Sequence, residues 1–315
     1  MPTIEEVFKE LYIDAAEINP VDSQGLSEHL VYQFVAGKEP FVIKVFHEND
    51  RMSKELMAYD VTERMRIPAA RVYAFGTLNA GNDYMILTRV SGTAADKYTF
   101  HSKASQEAFY EEAGNLLSRF HDGVHIQNIV NKFQLATGRM TSVVMDAQGD
   151  YLSTENYKDN FIQSVSKDFE HLKKLSPDTK LEETAAKAFE WFMKRIDQVN
   201  FEDINFGYCH NDYNEQNIMT VQGDITGIMD FETAGFGNTE RDICSIYMKT
   251  LYKDETLKQA FFEGYKKHKP ISDEFEERLS LYLVAECYKK LIWALEQAPD
   301  FLGDYQTFLA ENILK

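Results

Sequence analysis

Two short stretches of this chain concentrate oxygen-bearing side chains of the kind that phosphoryl transfer requires. His210-Asn211-Asp212-Tyr213-Asn214-Glu215-Gln216-Asn217 follows the run Phe206 to Cys209, and Asp230-Phe231-Glu232 follows Ile228-Met229. Phosphoryl transfer leaves a protein little covalent work; it must hold donor, acceptor hydroxyl and metal ion in line and neutralise charge. That calls for a loop carboxylate to orient the hydroxyl and take its proton, and for hard oxygen ligands to Mg2+. Asp212 suits the first task, Asn217 and Asp230 the second. Asn and Asp also bond their own backbone in ordinary turns, so no single one of them is diagnostic. The ordered set carries the signal.

Asp, then Asn five residues on, then a second Asp closing an apolar run repeats the order of kinase catalytic and metal-binding loops. His210-x-Asp212-x-x-x-x-Asn217 resembles the catalytic loop of the aminoglycoside phosphotransferase and choline kinase superfamily, and Asp230-Phe231-Glu232 resembles its metal-binding segment. Gly235-Phe236-Gly237 with Arg241-Asp242 resembles the family's glycine-containing turn leading to an Asp that opens the next helix. The resemblance covers residues 20 to 300. It implies an α+β, bilobal, protein-kinase-like fold with a small N-terminal antiparallel sheet lobe and a larger, mostly helical C-terminal lobe. It further implies Mg2+, ATP or GTP as phosphoryl donor, and a small-molecule acceptor bound on the helical lobe facing Asp212.

The elements that would position these groups can be traced along the chain. Thr3 caps a short amphipathic helix to Leu11; strands are expected at Glu28 to Val35, Phe41 to Phe46, Arg71 to Phe75 and Tyr84 to Val90, with a helix from Met52 to Met65 ending before Pro68. After Ser91-Gly92 the pattern turns to long helices at Ser105 to Phe120, Asn156 to Lys174, Leu181 to Val199, and most of Asp242 to Lys315. Short strands at Phe206 to Cys209 and Gly227 to Phe231 interrupt them. A boundary after residue 91 therefore divides a nucleotide-binding lobe, 1–91, from a catalytic and acceptor-binding lobe, 92–315, with the nucleotide between them.

In Phe41-Val42-Ile43-Lys44-Val45-Phe46, alternation puts Lys44 on the face of Val42 and Phe46, where a lysine needs a charge partner. Eleven residues on, Glu55 shares the helix face of Met52, Leu56 and Tyr59, and an ion pair between the two satisfies both. By resemblance, this pair steers the lysine to the donor's α- and β-phosphates. Gly25 to His29 occupies the place of a phosphate-covering loop but lacks GxGxxG, leaving Gly25 and Ser27 as the phosphate contacts. Leu87 to Val90 is the hinge, where backbone groups at Thr88 and Val90 would read the purine edge.

On the acceptor side, the helix between Phe275 and Leu295 is apolar all round and hence buried, with Glu286, Lys290 and Trp293 on one face. A carboxylate beside an indole suits an amine-bearing or sugar-like acceptor, and Glu232 could touch acceptor or metal. Residues 271 to 315 hold nine acids against four bases, which tilts the acceptor toward a cationic or polyhydroxylated compound such as an aminoglycoside. His121 and His210 read as structural, the first meeting helix-end carbonyls and the second bracing the catalytic loop.

The formal charge of -18 argues against nucleic-acid or anionic-membrane partners. No apolar run approaches the roughly 20 residues of a membrane span, and the first residues lack signal-peptide features, so a cytoplasmic protein, monomer or homodimer, is expected. Three cysteines without CxxC spacing indicate buried thiols. A protein kinase is a poorer reading, since Ala-Pro-Glu is absent and about ten residues separate Phe231 from Asp242. A silent nucleotide-binding scaffold is opposed by the presence of Lys44, Asp212, Asn217 and Asp230 together, and a dinuclear hydrolase by the scarcity of histidine near them.

Overall fold

The computed structural model describes residues 3–21, 29–47, 49–122, 154–176 and 179–314. The chain forms two compact units, each assembled from separate stretches: Met1–Val143, Gly207–Phe236 and Thr256–Lys269 in the first, Val144–Phe206, Gly237–Glu255 and Pro270–Lys315 in the second.

The first unit is built around a five-stranded antiparallel sheet in the order β1-β2-β3-β5-β4: β1 (Ala15–Pro20), β2 (Leu30–Ala36), β3 (Glu39–Val45), β4 (Val72–Thr77) and β5 (Asp83–Thr88). Helix α1 (Ile4–Glu10) starts from a capping box between Thr3 and Glu6 and packs Ile4, Val7 and Phe8 on Phe34, Ile43 and Val45. Strand β1 was not anticipated. It is an exposed edge whose pairing slips between Ala16 and Asn19, with Glu17 at φ 53°, so it carries no alternation to be read. Helix α2 (Asn49–Arg64) then faces Met52, Glu55 and Tyr59 inward.

Beyond β5 the same unit holds a small sheet, β6 (Thr93–Ala94), β8 (Ile218–Val221) and β9 (Asp224–Ile228), and β7 (Phe206–Cys209) enters it at Gly207. The β8–β9 hairpin turns on Gln222 and Gly223, both at positive φ (56° and 95°), the geometry of a two-residue hairpin turn. Gln-Gly is a weak turn signal, and β8 was not expected from it. Helix α3 (Lys103–His121) crosses α7 (Glu255–Tyr265) at a pair of glycines. A Cβ on Gly114 would lie 2.0 Å from the Phe261 carbonyl oxygen, and one on Gly264 would lie 1.7 Å from that of Glu111, so neither position accepts a side chain. The close approach also lets His121 Nδ1 meet the Tyr265 hydroxyl at 2.8 Å.

The second unit is mainly helical: α4 (Thr154–Leu175), α5 (Thr179–Ile196), α6 (Cys244–Lys249), α8 (Phe275–Gln297) and α9 (Leu302–Phe308), with β10 (Gly235–Asn238) completing itself there. Rings from α4 meet rings of α8 at Phe161–Tyr282 and Phe169–Tyr288, and the Tyr288 hydroxyl donates to the Ala185 carbonyl of α5. Helix α8 is buried over most of its length, as its all-round apolar pattern predicts. Within it Arg278 is fully buried and uses all five N–H donors. Nε and Nη2 fork onto Glu240 at 2.7 Å each, Nη1 bonds Asp203 Oδ1 (2.7 Å) and the Asn200 carbonyl (2.9 Å), and Nη2 also reaches Ser272. No helix among the described residues is long and apolar enough to cross a membrane.

Candidate active site

The first unit gathers Lys44, Glu55, Asp212, Asn217, Asp230 and Glu232, whose positions span nearly two hundred residues. Strand β3 presents Lys44 opposite Met85 of β5 and Val31 of β2, and its ammonium leaves the sheet among apolar neighbours. There it bonds Glu55 from α2, closing the pair expected from their spacing. It also donates to Glu232 Oε2 at 3.0 Å, stands 3.6 Å from Asp230 Oδ1, and lies 5.2 Å from the centre of the Phe46 ring. Burial works against the charged ammonium, but Glu55, Asp230 and Glu232 outweigh it and hold its pKa above the ordinary lysine value.

Glu232 has a second partner. His29 Nε2 lies 3.0 Å from its Oε2, and His29 Nδ1 accepts from the His47 amide, so the ring proton sits on Nε2 and points at the carboxylate. Burial opposes ionisation of Glu232, yet the His29 and Lys44 hydrogen bonds bring its pKa down to about 2.

The His210–Asn217 segment after β7 is held by its own amides. Asn214 Nδ2 donates to Asp212 Oδ1 and Asn217 Nδ2 to Oδ2, at 3.0 and 3.1 Å, and both also reach the Asp212 carbonyl. The carboxylate is thereby fixed in rotamer by a donor on each oxygen. Two tyrosines hang the loop on α3: Tyr213 donates to the Ala113 carbonyl (2.9 Å) and Tyr110 to Glu215 Oε1 (2.7 Å).

Cross-links join this loop to the Asp230 segment. His210 Nε2 donates to the Met229 carbonyl (2.9 Å), Thr233 Oγ1 to the His210 carbonyl (3.1 Å), Asn211 Nδ2 to the Thr233 carbonyl (2.8 Å), and the Met229 amide to the Asn217 carbonyl (2.9 Å). Phe231 anchors the segment between Tyr59 of α2, Phe120 of α3 and His210. Asp230 itself adopts φ 60°, the left-handed region that costs a residue with a Cβ, and its side chain stays 47% exposed. Loss of solvation raises its carboxyl pKa, Lys44 opposes this, and the Glu232 and Asp212 carboxylates add to it.

Elsewhere the expected residues fall as follows. Thr88 ends β5, but its N–H bonds the Arg71 carbonyl and its hydroxyl accepts from the Arg71 amide, so both of these groups are already engaged. Val90 packs where a Cβ on Gly227 would come within 2.5 Å of it. Gly25 and Ser27 lie outside the described residues. Glu286 and Trp293 belong to the second unit; Glu286 stands 4.0 Å from Lys290, and the indole packs on Phe301 at 5.7 Å between ring centres. Sequence reasoning gave no role to His29 or Asn214. Asn214 was findable as an Asx residue two positions after Asp212; His29 was not, because its partner is two hundred residues away.

The sequence matches the phosphotransferase enzyme family (APH) over residues 21–279. The chain belongs to that family. No curated protein matches it by sequence. As a member of the phosphotransferase enzyme family, it has the fold of solved aminoglycoside phosphotransferases at low identity. APH(4)-Ia is 17% identical, with 98% of this chain and 99% of that chain covered and a TM-score of 0.65. A thermostable mutant of APH(4)-Ia in ternary complex with AMP-PNP and hygromycin B is 15% identical, with 97% of each chain covered and a TM-score of 0.66. Spectinomycin phosphotransferase APH(9)-Ia with ADP and spectinomycin is 13% identical, with 98% and 93% covered and a TM-score of 0.66.

Proposed function

We propose that this phosphotransferase moves the γ-phosphoryl of ATP or GTP to a hydroxyl of a small molecule. The observation that carries the reading is the convergence of Asp230 and Glu232 with the Lys44–Glu55 pair, three carboxylates around a single ammonium, with the Asp212 carboxylate acting on Asp230 in the same unit. Such a surplus of negative charge is unfavourable alone and fits a divalent cation with phosphate oxygens. Asn217 spends its amide nitrogen on Asp212, which leaves its side-chain oxygen as a hard donor, and Asp230 supplies a carboxylate. These two residues would hold Mg2+, which when bound neutralises the charge that develops on the transferred group. Glu232, bonded to Lys44 and His29, acts with them on the donor side rather than on the acceptor.

Lys44, set by Glu55, binds the α- and β-phosphates, and Val90 offers the hinge backbone to the purine. Asp212 orients the acceptor hydroxyl and takes its proton at a carboxylate oxygen, its rotamer fixed by Asn214 and Asn217. Residues 1–91 thus serve the nucleotide and 92–315 the catalytic loop and acceptor. Related folds have been solved with hygromycin B or spectinomycin, and the acidic composition of residues 271 to 315 is compatible with a cationic or sugar-like acceptor near Glu286 and Trp293.

Asp212→Asn is expected to keep nucleotide affinity while turnover falls at least about a hundredfold, the scale of lost acid-base assistance. Nucleotide affinity by calorimetry and diphosphate release across a panel of alcohols check this together; undiminished turnover in the variant would remove Asp212 from the mechanism.

A further inference from the structure

Phosphoryl transfer, as assigned above, gives no role to the hydroxyl of Tyr208 in the first unit. Tyr208 lies in β7, two residues before His210 and four before Asp212, and is fully buried. Its ring meets Phe120 at 5.7 Å between centres, and Phe120 stacks on Phe231, which His210 also touches. Held this way, the hydroxyl reaches α2 and donates to the Lys54 carbonyl at 3.0 Å. Burial pushes the phenol pKa above its ordinary value, so the group stays a donor across the neutral range.

Helix α2 does not need this bond in order to form. Lys54 lies within Asn49–Arg64, where its carbonyl accepts the intrahelical amide four residues on, and Tyr208 takes the second lone pair. What the bond adds is a tether between the strand that leads into the Asp212 loop and the residue next to Glu55, the partner of Lys44. A second tether holds the far end of the helix. Arg119 of α3 donates Nη2 to the Met65 carbonyl and to the Arg66 carbonyl (2.9 Å), where the chain leaves α2 and Arg66 turns to φ 53°. With both in place, α2 cannot turn about its axis or slide along it without losing these bonds, and either movement would draw the Glu55 carboxylate away from Lys44.

We propose that Tyr208 is a positioning residue, whose hydroxyl, with Arg119 as the second anchor, sets α2 and through Glu55 the Lys44 ammonium at a fixed place relative to Asp212. One side chain on β7 thereby holds the group that meets the donor phosphates in register with the group that meets the acceptor hydroxyl, which is what in-line transfer demands. This part rests on the kinase reading. The hydroxyl and the ring have separate tasks: the ring fills the space beside Phe120, which a phenylalanine would fill as well, and the oxygen alone makes the tether.

The test is a double-mutant cycle on the full chain, with Tyr208→Phe, Glu55→Gln and the pair, read by calorimetry with ADP and Mg2+, by steady-state diphosphate release over a panel of alcohols, and by thermal melting. Tyr208→Phe leaves the Lys54 carbonyl its helical bond and should melt within about 4 °C of the wild type. Its affinity for ADP with Mg2+ should fall about threefold to tenfold, the worth of one hydrogen bond, and turnover at least about tenfold, with the acceptor KM held within about twofold. In the Glu55→Gln background the same substitution should leave nucleotide affinity unchanged, because the tether acts through Glu55. A purely structural tyrosine would instead lower affinity equally in both backgrounds, and that result, or no loss in either, overturns the inference. Arg119→Met, which frees the other end of α2 without touching β7, should repeat the pattern and decides the matter if Tyr208→Phe fails to fold. Coupling between positions 208 and 55 in nucleotide affinity without any phosphorylated product would sink the kinase reading and leave the positioning role standing; turnover without that coupling would do the reverse.

Discussion

Each unit encloses a cation among carboxylates, and the two do it in opposite ways. Around Arg278 every donor is used: Glu240 takes a fork, Asp203, Ser272 and the Asn200 carbonyl take the rest, and Tyr282 and Asn238 continue the network through Glu240. Nothing is left over to bind a ligand. Around Lys44 the balance is reversed, because Glu55, Glu232 and Asp230 share one ammonium, Asp230 keeps 47% of its side chain in solvent, and its backbone sits at φ 60°. The contrast teaches that a buried charge by itself does not mark a site. Surplus acceptors, a strained carboxylate and access do.

The most severe way to break the comparison is Arg278→Met. Removing one partner from a saturated, desolvated network leaves Glu240 uncompensated and is expected to cost about 3–5 kcal/mol of stability, read from urea unfolding. A loss under about 1 kcal/mol would put this cluster with ordinary surface pairs. Of intermediate size is the response of the Lys44 cluster to nucleotide with Mg2+. ADP with Mg2+ at about 100 times its Kd should stabilise the wild type by about 2.7 kcal/mol, and Asp230→Asn should remove most of the metal-dependent part. Equal stabilisation of both proteins by ADP with and without Mg2+ would take Asp230 out of metal binding. The mildest change is Glu232→Gln. Because Lys44 retains Glu55 and Asp230, stability should move by less than about 1 kcal/mol, and a loss as large as that of Arg278→Met would erase the distinction between the clusters.

The two clusters also differ in how far they could be read from sequence. Lys44 and Glu55 were legible because alternation on a strand and periodicity on a helix each turned a charge inward. Asp212, Asn217 and Asp230 were legible through their order and spacing. Arg278 entered the sequence reading only as a base to be counted, because its partners Asp203 and Glu240 lie in loops and at helix edges with no periodicity to give them a direction. The same limit hid His29, whose role depends on Glu232, and the elements β1 and β8, whose irregular pairing and Gln-Gly turn depart from the usual signals. Local pattern fixes the direction a side chain takes from its own element. It does not supply the identity of a partner that arrives from elsewhere in the chain.

The glycine crossing of α3 and α7 carries a consequence for biogenesis. The first unit is interrupted by residues 237–255, and the helix that backs α3 lies beyond that interruption, in Thr256–Lys269. A nascent chain on the ribosome would therefore already display Lys44, Asp212 and Asp230 while the support for the helix that anchors the Asp212 loop was still inside the exit tunnel. Synthesis of part of the other unit has to come first, so the two cannot mature strictly one after the other.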